Sequence, residues 1–200
     1  MSDNKQDNQQ QRRGRWKLFA VIAVCASPLI FSYLTYYVIK PEGRTNYGDL
    51  LDPRLYPIPV LGSTTLDGKP AELDTYKGQW LMVQVDASEC LEPCQKKLIN
   101  MRQLRLMQGK EMERIERVWL ITDGRPVETM LMRQFDGTRL LRAKLEAVRT
   151  WLPVEPGTTA ADHIYLVDPM GNLMMRFPKD ADPNKIKKDL SKVLRASSIG

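Results

Sequence analysis

Apolar residues are spaced in three different ways along this chain. From Leu18 to Ile39 no charged residue interrupts a run rich in Val, Ile, Leu, Phe and Tyr. That length suits a helix crossing a bilayer, with Pro28 tolerated as a kink. Further on, short apolar runs are bounded by turn residues, the signature of buried strands: Trp80–Val85, Arg117–Thr122, His163–Asp168 and Leu173–Phe177. Between them Leu98, Met101, Leu104 and Met107 recur at helical spacing, predicting a helix from Cys94 to Met107. Pro126 to Arg133 and Thr138 to Thr150 read as helices broken at Asp136-Gly137. Val60 to Leu73 reads as a small hairpin turning at Asp67-Gly68. Asp182-Pro183 caps a closing helix that runs through Arg195.

The order is hairpin, strand, helix, strand, helix, strand, strand, helix. It predicts an α/β fold, a central mixed sheet flanked by helices in a thioredoxin-like layout, behind a single N-terminal transmembrane helix. The division that follows is a polar tail (1–17), an anchor (18–39), a Pro- and Gly-bearing spacer (40–56) and one domain (57–200). Charge sharpens this picture. Of the net +6, residues 1–39 hold five Lys/Arg against two Asp, and the rest holds 25 against 22. The domain is nearly balanced, which argues against nucleic acid as a partner. Arg12, Arg13, Arg15 and Lys17 precede the span, so the positive-inside rule puts the N-terminus in the cytoplasm. In a Gram-negative bacterium the domain would then face the periplasm from the inner membrane. No small-x-small cleavage site follows Ile39, which favours an uncleaved anchor over a signal peptide.

Cys90 and Cys94 stand just after the strand Trp80–Val85, where α/β proteins gather their chemistry. On a helical turn, residues four apart share a face at about 5–6 Å. That suits two thiolates on one soft ion, Cu(I) foremost with Zn(II) as competitor, or a redox pair, or a structural disulfide. His163 is the sole histidine, and imidazole would complete a trigonal copper site, although a lone histidine heading an apolar strand is commonly a hydrogen-bonded core residue. Asp86 and Glu89 read as solvated loop carboxylates, the lysine-rich closing helix as a solvated face, and Cys25 as apolar filler in the span. The chain has no internal repeat and no zinc-type ligand spacing.

These residues together resemble the Sco/SenC family of copper-handling assembly factors for cytochrome c oxidase. Asp67-Gly-Lys-Pro and Lys77-Gly-Gln-Trp80 are similar to its opening hairpin and first core strand. Cys90-x-x-x-Cys94 has its cysteine spacing, and Asp162-His163 with Tyr165-Leu-Val-Asp-Pro-Met-Gly171 resembles its histidine block and hairpin. Two features depart from the pattern. Leu91 and Gln95 follow the cysteines where the family has prolines, and the family's histidine position falls near Ala160 rather than His163. The resemblance implies a membrane-anchored protein that binds Cu(I) through Cys90 and Cys94, with or without His163. It would deliver the ion to a copper-containing subunit of a terminal oxidase, a role without turnover chemistry. Two alternatives stay open: a thiol–disulfide reductase for the oxidase's own cysteines, with Cys90 attacking and Cys94 resolving, and a metal-free scaffold.

Overall fold

The computed structural model describes residues 3–39 and 46–199. These form two units, up to Thr45 and from Asn46 onward. In the first, helix α1 (Asp3–Leu34) continues through a wider turn at Thr35–Ile39. A 23-residue stretch of it, Arg15–Tyr37, is long and apolar enough to span a membrane. Two of its hydroxyls bond back to the helix backbone: Ser27 Oγ donates to Val24 O at 2.8 Å and Thr35 Oγ1 to Phe31 O at 2.7 Å. Tyr33, Tyr36 and Tyr37 cluster near its end, with ring centroids 4.4 and 4.8 Å apart.

The second unit is built on seven strands: β1 (Asp49–Leu50), β2 (Thr64–Thr65), β3 (Trp80–Asp86), β4 (Ile115–Ile121), β5 (Thr138–Arg142), β6 (Ile164–Val167) and β7 (Leu173–Arg176). Their order in space is β1-β7-β6-β3-β4-β5-β2. Strand β3 is where the sheet changes character. It runs parallel to β4, with Val83 beside Val118, and antiparallel to β6, with Val83 beside Tyr165. Four helices cover this sheet: α2 (Glu92–Leu106), α3 (Thr129–Gln134), α4 (Leu145–Trp151) and α5 (Pro183–Ala196).

Alternation along β3 splits the core. Leu81, Val83 and Val85 face one layer with Val118, Leu120, Tyr165 and the α4 residues Val148 and Trp151. Trp80 and Met82 face the other, with Met101 and Leu104 of α2 and Ile186, Leu190 and Leu194 of α5. A third cluster lies between α2, the end of β4 and α3: Cys90, Cys94, Leu98, Trp119, Ile121, Leu131 and Phe135. Strands of both directions with buried residues on both faces read as near-continuous apolar runs, which is why β3 and β4 stand out in the sequence.

The structure differs from the expected layout in several places. Thr138–Arg142 is not the start of a helix but strand β5, hydrogen-bonded to β4 and β2, and the helix begins only at Leu145. Gly137, at φ 75°, makes the turn that lets this strand begin. The hairpin expected over 60–73 is short: around Asp67-Gly68, Thr65 N–H donates to Lys69 O at 2.8 Å and Ala71 N–H to Ser63 O at 3.0 Å, and its first arm, β2, also pairs with β5. The α2 helix starts at Glu92, so Cys90 lies before it rather than on its first turn. Within the stretch read as a spacer, Asp49–Leu50 pairs with β7.

Candidate functional site

The site is assembled where β3 ends. The apolar strand stops at Asp86, whose Oδ1 accepts the Ala87 N–H at 3.0 Å and starts the turn. Ser88 is latched across the sheet: its N–H and hydroxyl donate to the two Asp123 oxygens at 3.0 Å each. Burial opposes the charge on Asp123, but the Ser88 bonds and Arg125 outweigh it and hold the carboxyl below its usual range. Arg125 also reaches Glu89 at 3.4 Å. Cys90 N–H then donates to Ala87 O at 3.2 Å, and Cys90 takes a left-handed backbone, φ 41°, rare for a residue with a side chain. Leu91 caps α2, Pro93 sits in its first turn where no N–H is needed, and Gln95 Nε2 donates back to Cys90 O at 3.0 Å.

This turn brings the two cysteines together. Cys90 and Cys94 form a disulfide with Cα atoms 5.1 Å apart, and each residue is only 1 % exposed. Beneath it is a residue that sequence reasoning missed. Gln84 is the one polar side chain among the inward positions of β3, fully buried, and its Nε2 is 3.3 Å from Cys94 Sγ. Its Oε1 has no partner. The signal was legible: an amide breaking the run Trp80–Val85 on the face where Trp80 and Met82 point inward.

Lys97, one helical turn after Cys94, was also missed. Its Nζ bonds Asp86 Oδ2 at 3.3 Å and the carbonyl of Ala161. Burial lowers the pKa of its ammonium, and Asp86 only partly offsets this. Lys97 thereby ties the cysteine helix to the 3₁₀ turn Ala160–Asp162. A reciprocal box closes that turn, with Thr159 N–H and Oγ1 both donating to Asp162 Oδ2 at 2.8 and 2.9 Å. The Thr159 N–H and Lys179 draw the Asp162 pKa down to about 2.

His163 follows this turn and is fully buried. Its Nδ1 lies 2.9 Å from Phe177 O and its Nε2 2.7 Å from Thr158 Oγ1. A carbonyl only accepts, so Nδ1 donates to Phe177 O, while the Thr158 hydroxyl beside Nε2 also donates to Glu155 O at 2.9 Å. None of the hydrogen bonds or ring contacts described for His163 involves a cysteine. Among the described residues no group of three or more His, Cys, Asp or Glu is gathered as a metal site. Asp86 is paired with Lys97, and Glu89 is an exposed loop carboxylate facing Arg125.

Residues 80–197, more than half the chain, match the family model described as transmembrane-like, thioredoxin-like, C-terminal domain. The matching N-terminal model, transmembrane-like, covers residues 8–38. The chain belongs to the transmembrane-like, thioredoxin-like family. Its second unit has the fold of several solved structures. One is yeast Sco1 with copper bound, at 17% identity and TM-score 0.54 over 70% of this chain and 91% of that one. A SCO1/SenC family lipoprotein from Bacillus anthracis matches at 20% identity and 0.53, covering 74% of this chain and 99% of that one. A thiol:disulfide interchange protein of the thioredoxin family from Chlorobium tepidum matches at 18% and 0.51, covering 69% and 97%. No curated protein is similar to the chain at the level of sequence. The expected thioredoxin-like fold is borne out, and so is the likeness to Sco/SenC proteins at the level of the fold.

Proposed function

We propose that this protein is a membrane-anchored assembly factor for cytochrome c oxidase that takes Cu(I) as cargo on Cys90 and Cys94 and hands it to a copper-containing oxidase subunit. Residues 1–17 are read as cytoplasmic, 18–39 as the single span of a bacterial inner membrane, 40–56 as the linker and 57–200 as a periplasmic domain. The observation that carries this reading is the bonded cysteine pair at the carboxyl end of β3. Once reduced, it presents two soft thiolates side by side, and thiolates select Cu(I) over harder ions. His163 has both ring nitrogens occupied, so the ion would be held by two sulfurs, a labile arrangement suited to transfer by ligand exchange. The Sco-type fold supports the same reading.

The test is a Cu(I) titration of the reduced full-length protein in detergent against a competing chelator. One equivalent retained by wild type and none by Cys90→Ser/Cys94→Ser is expected; wild type that retains none removes the copper role.

A second reading is favoured by one observation, that the pair is bonded as a disulfide and no third His, Cys, Asp or Glu is gathered with it among the described residues. Here the protein reduces the oxidase's own cysteines, with Cys90 attacking and Cys94 resolving. A mixed disulfide trapped by Cys94→Ser, in a protein that retains no copper, would establish it.

A further inference from the structure

We infer that Gln84 is a positioning residue that biases the Cys90–Cys94 couple toward its reduced form. The inference rests on the reading that this pair cycles between disulfide and dithiol. Gln84 stands in the middle of β3, between Trp119 on β4 and Ile164 on β6, and is wholly shielded from water. One end of its amide touches Cys94 Sγ at 3.3 Å, and the other end finds nothing. A buried amide left half-paired is costly, and replacing it with a hydrocarbon would ordinarily relieve the fold.

The redox chemistry gives the amide a use. The Cys90–Cys94 disulfide takes up two electrons and two protons from a dithiol, which becomes a disulfide, and the S–S bond is replaced by two thiols. In the disulfide, sulfur is a weak acceptor and has no proton to give. In the dithiol, a half-turn of the amide about its last side-chain bond lets the Cys94 S–H donate to Oε1, which accepts nothing in the disulfide form. If Cys94 is a thiolate, the amide N–H makes a charge-assisted bond stronger than the one it makes to the disulfide. Both reduced forms give Gln84 a stronger bond to Cys94 than the weak N–H···S contact of the oxidised form. The amide therefore stabilises the dithiol relative to the disulfide, and Cys94 rather than the loop residue Cys90 is the sulfur it holds.

The test equilibrates the full-length protein in detergent with a graded reduced/oxidised dithiothreitol couple and reads the thiol–disulfide ratio by alkylation. In Gln84→Leu and Gln84→Met, neither of which can donate or accept strongly, the equilibrium constant should move about tenfold toward the disulfide, roughly 30 mV to lower potential. Val83→Ala, which opens a cavity on the opposite face of the same strand, serves as the control for lost stability and should leave the ratio unmoved. A ratio unchanged in both Gln84 variants, or shifted equally by Val83→Ala, overturns the inference. If wild type takes up no Cu(I) yet the Gln84 variants shift the ratio, the copper reading falls and this one stands.

Discussion

His163 is held at both ring nitrogens, so its loss should be felt first in the fold. His163→Ala removes a buried ring and leaves Phe177 O without its side-chain donor, while Thr158 Oγ1 keeps only Glu155 O. The cavity and the lost hydrogen bonds together should cost about 2–4 kcal/mol in chemical denaturation. Cu(I) affinity of the reduced protein should stay within about twofold of wild type. A loss of affinity without a matching loss of stability would instead make His163 a ligand. Asp162, next to it, carries a pH signature. Its folded pKa of about 2 lies below the unfolded value near 3.9, so its contribution is full above pH 4 and fades as pH falls toward 2. Asp162→Asn should lower stability by about 1 kcal/mol at neutral pH, discounted for partial exposure, with the gap to wild type closing at pH 2. A gap that persists at pH 2 would show that the side chain acts through something other than its charge. At this scale the cysteine pair could be read from spacing alone, because short-range geometry brings residues four apart together. The surroundings of His163 could not. Phe177 and Thr158 reach it through a hairpin and a 3₁₀ turn whose packing no local pattern encodes.

Among the elements, α5 does more than cover the sheet. Asp189, buried in its middle, accepts the backbone N–H groups of Tyr47 and Gly48 at 2.6 and 2.9 Å. That is the entry to β1, more than 140 residues away in sequence. Gly48 must be glycine there, since a Cβ would meet Met175 Sδ at 2.7 Å and Phe177 Cδ1 at 2.9 Å. Asp189→Ala should cost about 2–4 kcal/mol, leaving two amides without a charged acceptor. Hydrogen exchange at Tyr47 and Gly48 should accelerate far more than in β3; equal protection in the variant would refute the clamp. The helix itself was legible from Asp182-Pro183, while no local pattern among its many lysines marks Asp189 as the buried charge. Strand β5 was misread for a related reason. Leu141, Leu145 and Val148 fall at helical intervals, although the first belongs to a strand and the others to α4. Pairing with β4 overrode the local period.

For the whole molecule, the apolar helix and the nearly neutral domain make a topological prediction. Full-length protein should stay with membranes through a high-salt wash. In spheroplasts a membrane-impermeant maleimide should label a cysteine placed at the exposed Val60 of the domain (Val60→Cys) without lysis. Labelling only after lysis would put the domain in the cytoplasm and end the periplasmic reading. The layout of the second unit was legible at this scale because β3, β4, β6 and β7 are continuous apolar runs. Its two outermost strands were not, since two residues carry no period.

Those two-residue strands, β1 and β2, limit what the sheet can do with another chain. An exposed edge captures an unfolded segment by adding it as a further strand, and the grip grows with the number of free N–H and C=O groups in the row. Here each described outer strand offers a row only two residues long. An extended segment of a client protein would find little template for strand addition, and neither would a second copy of this chain. Recognition of a client would have to come through loops and side chains, and in the cysteine loop Leu91 is the exposed apolar side chain placed to supply it.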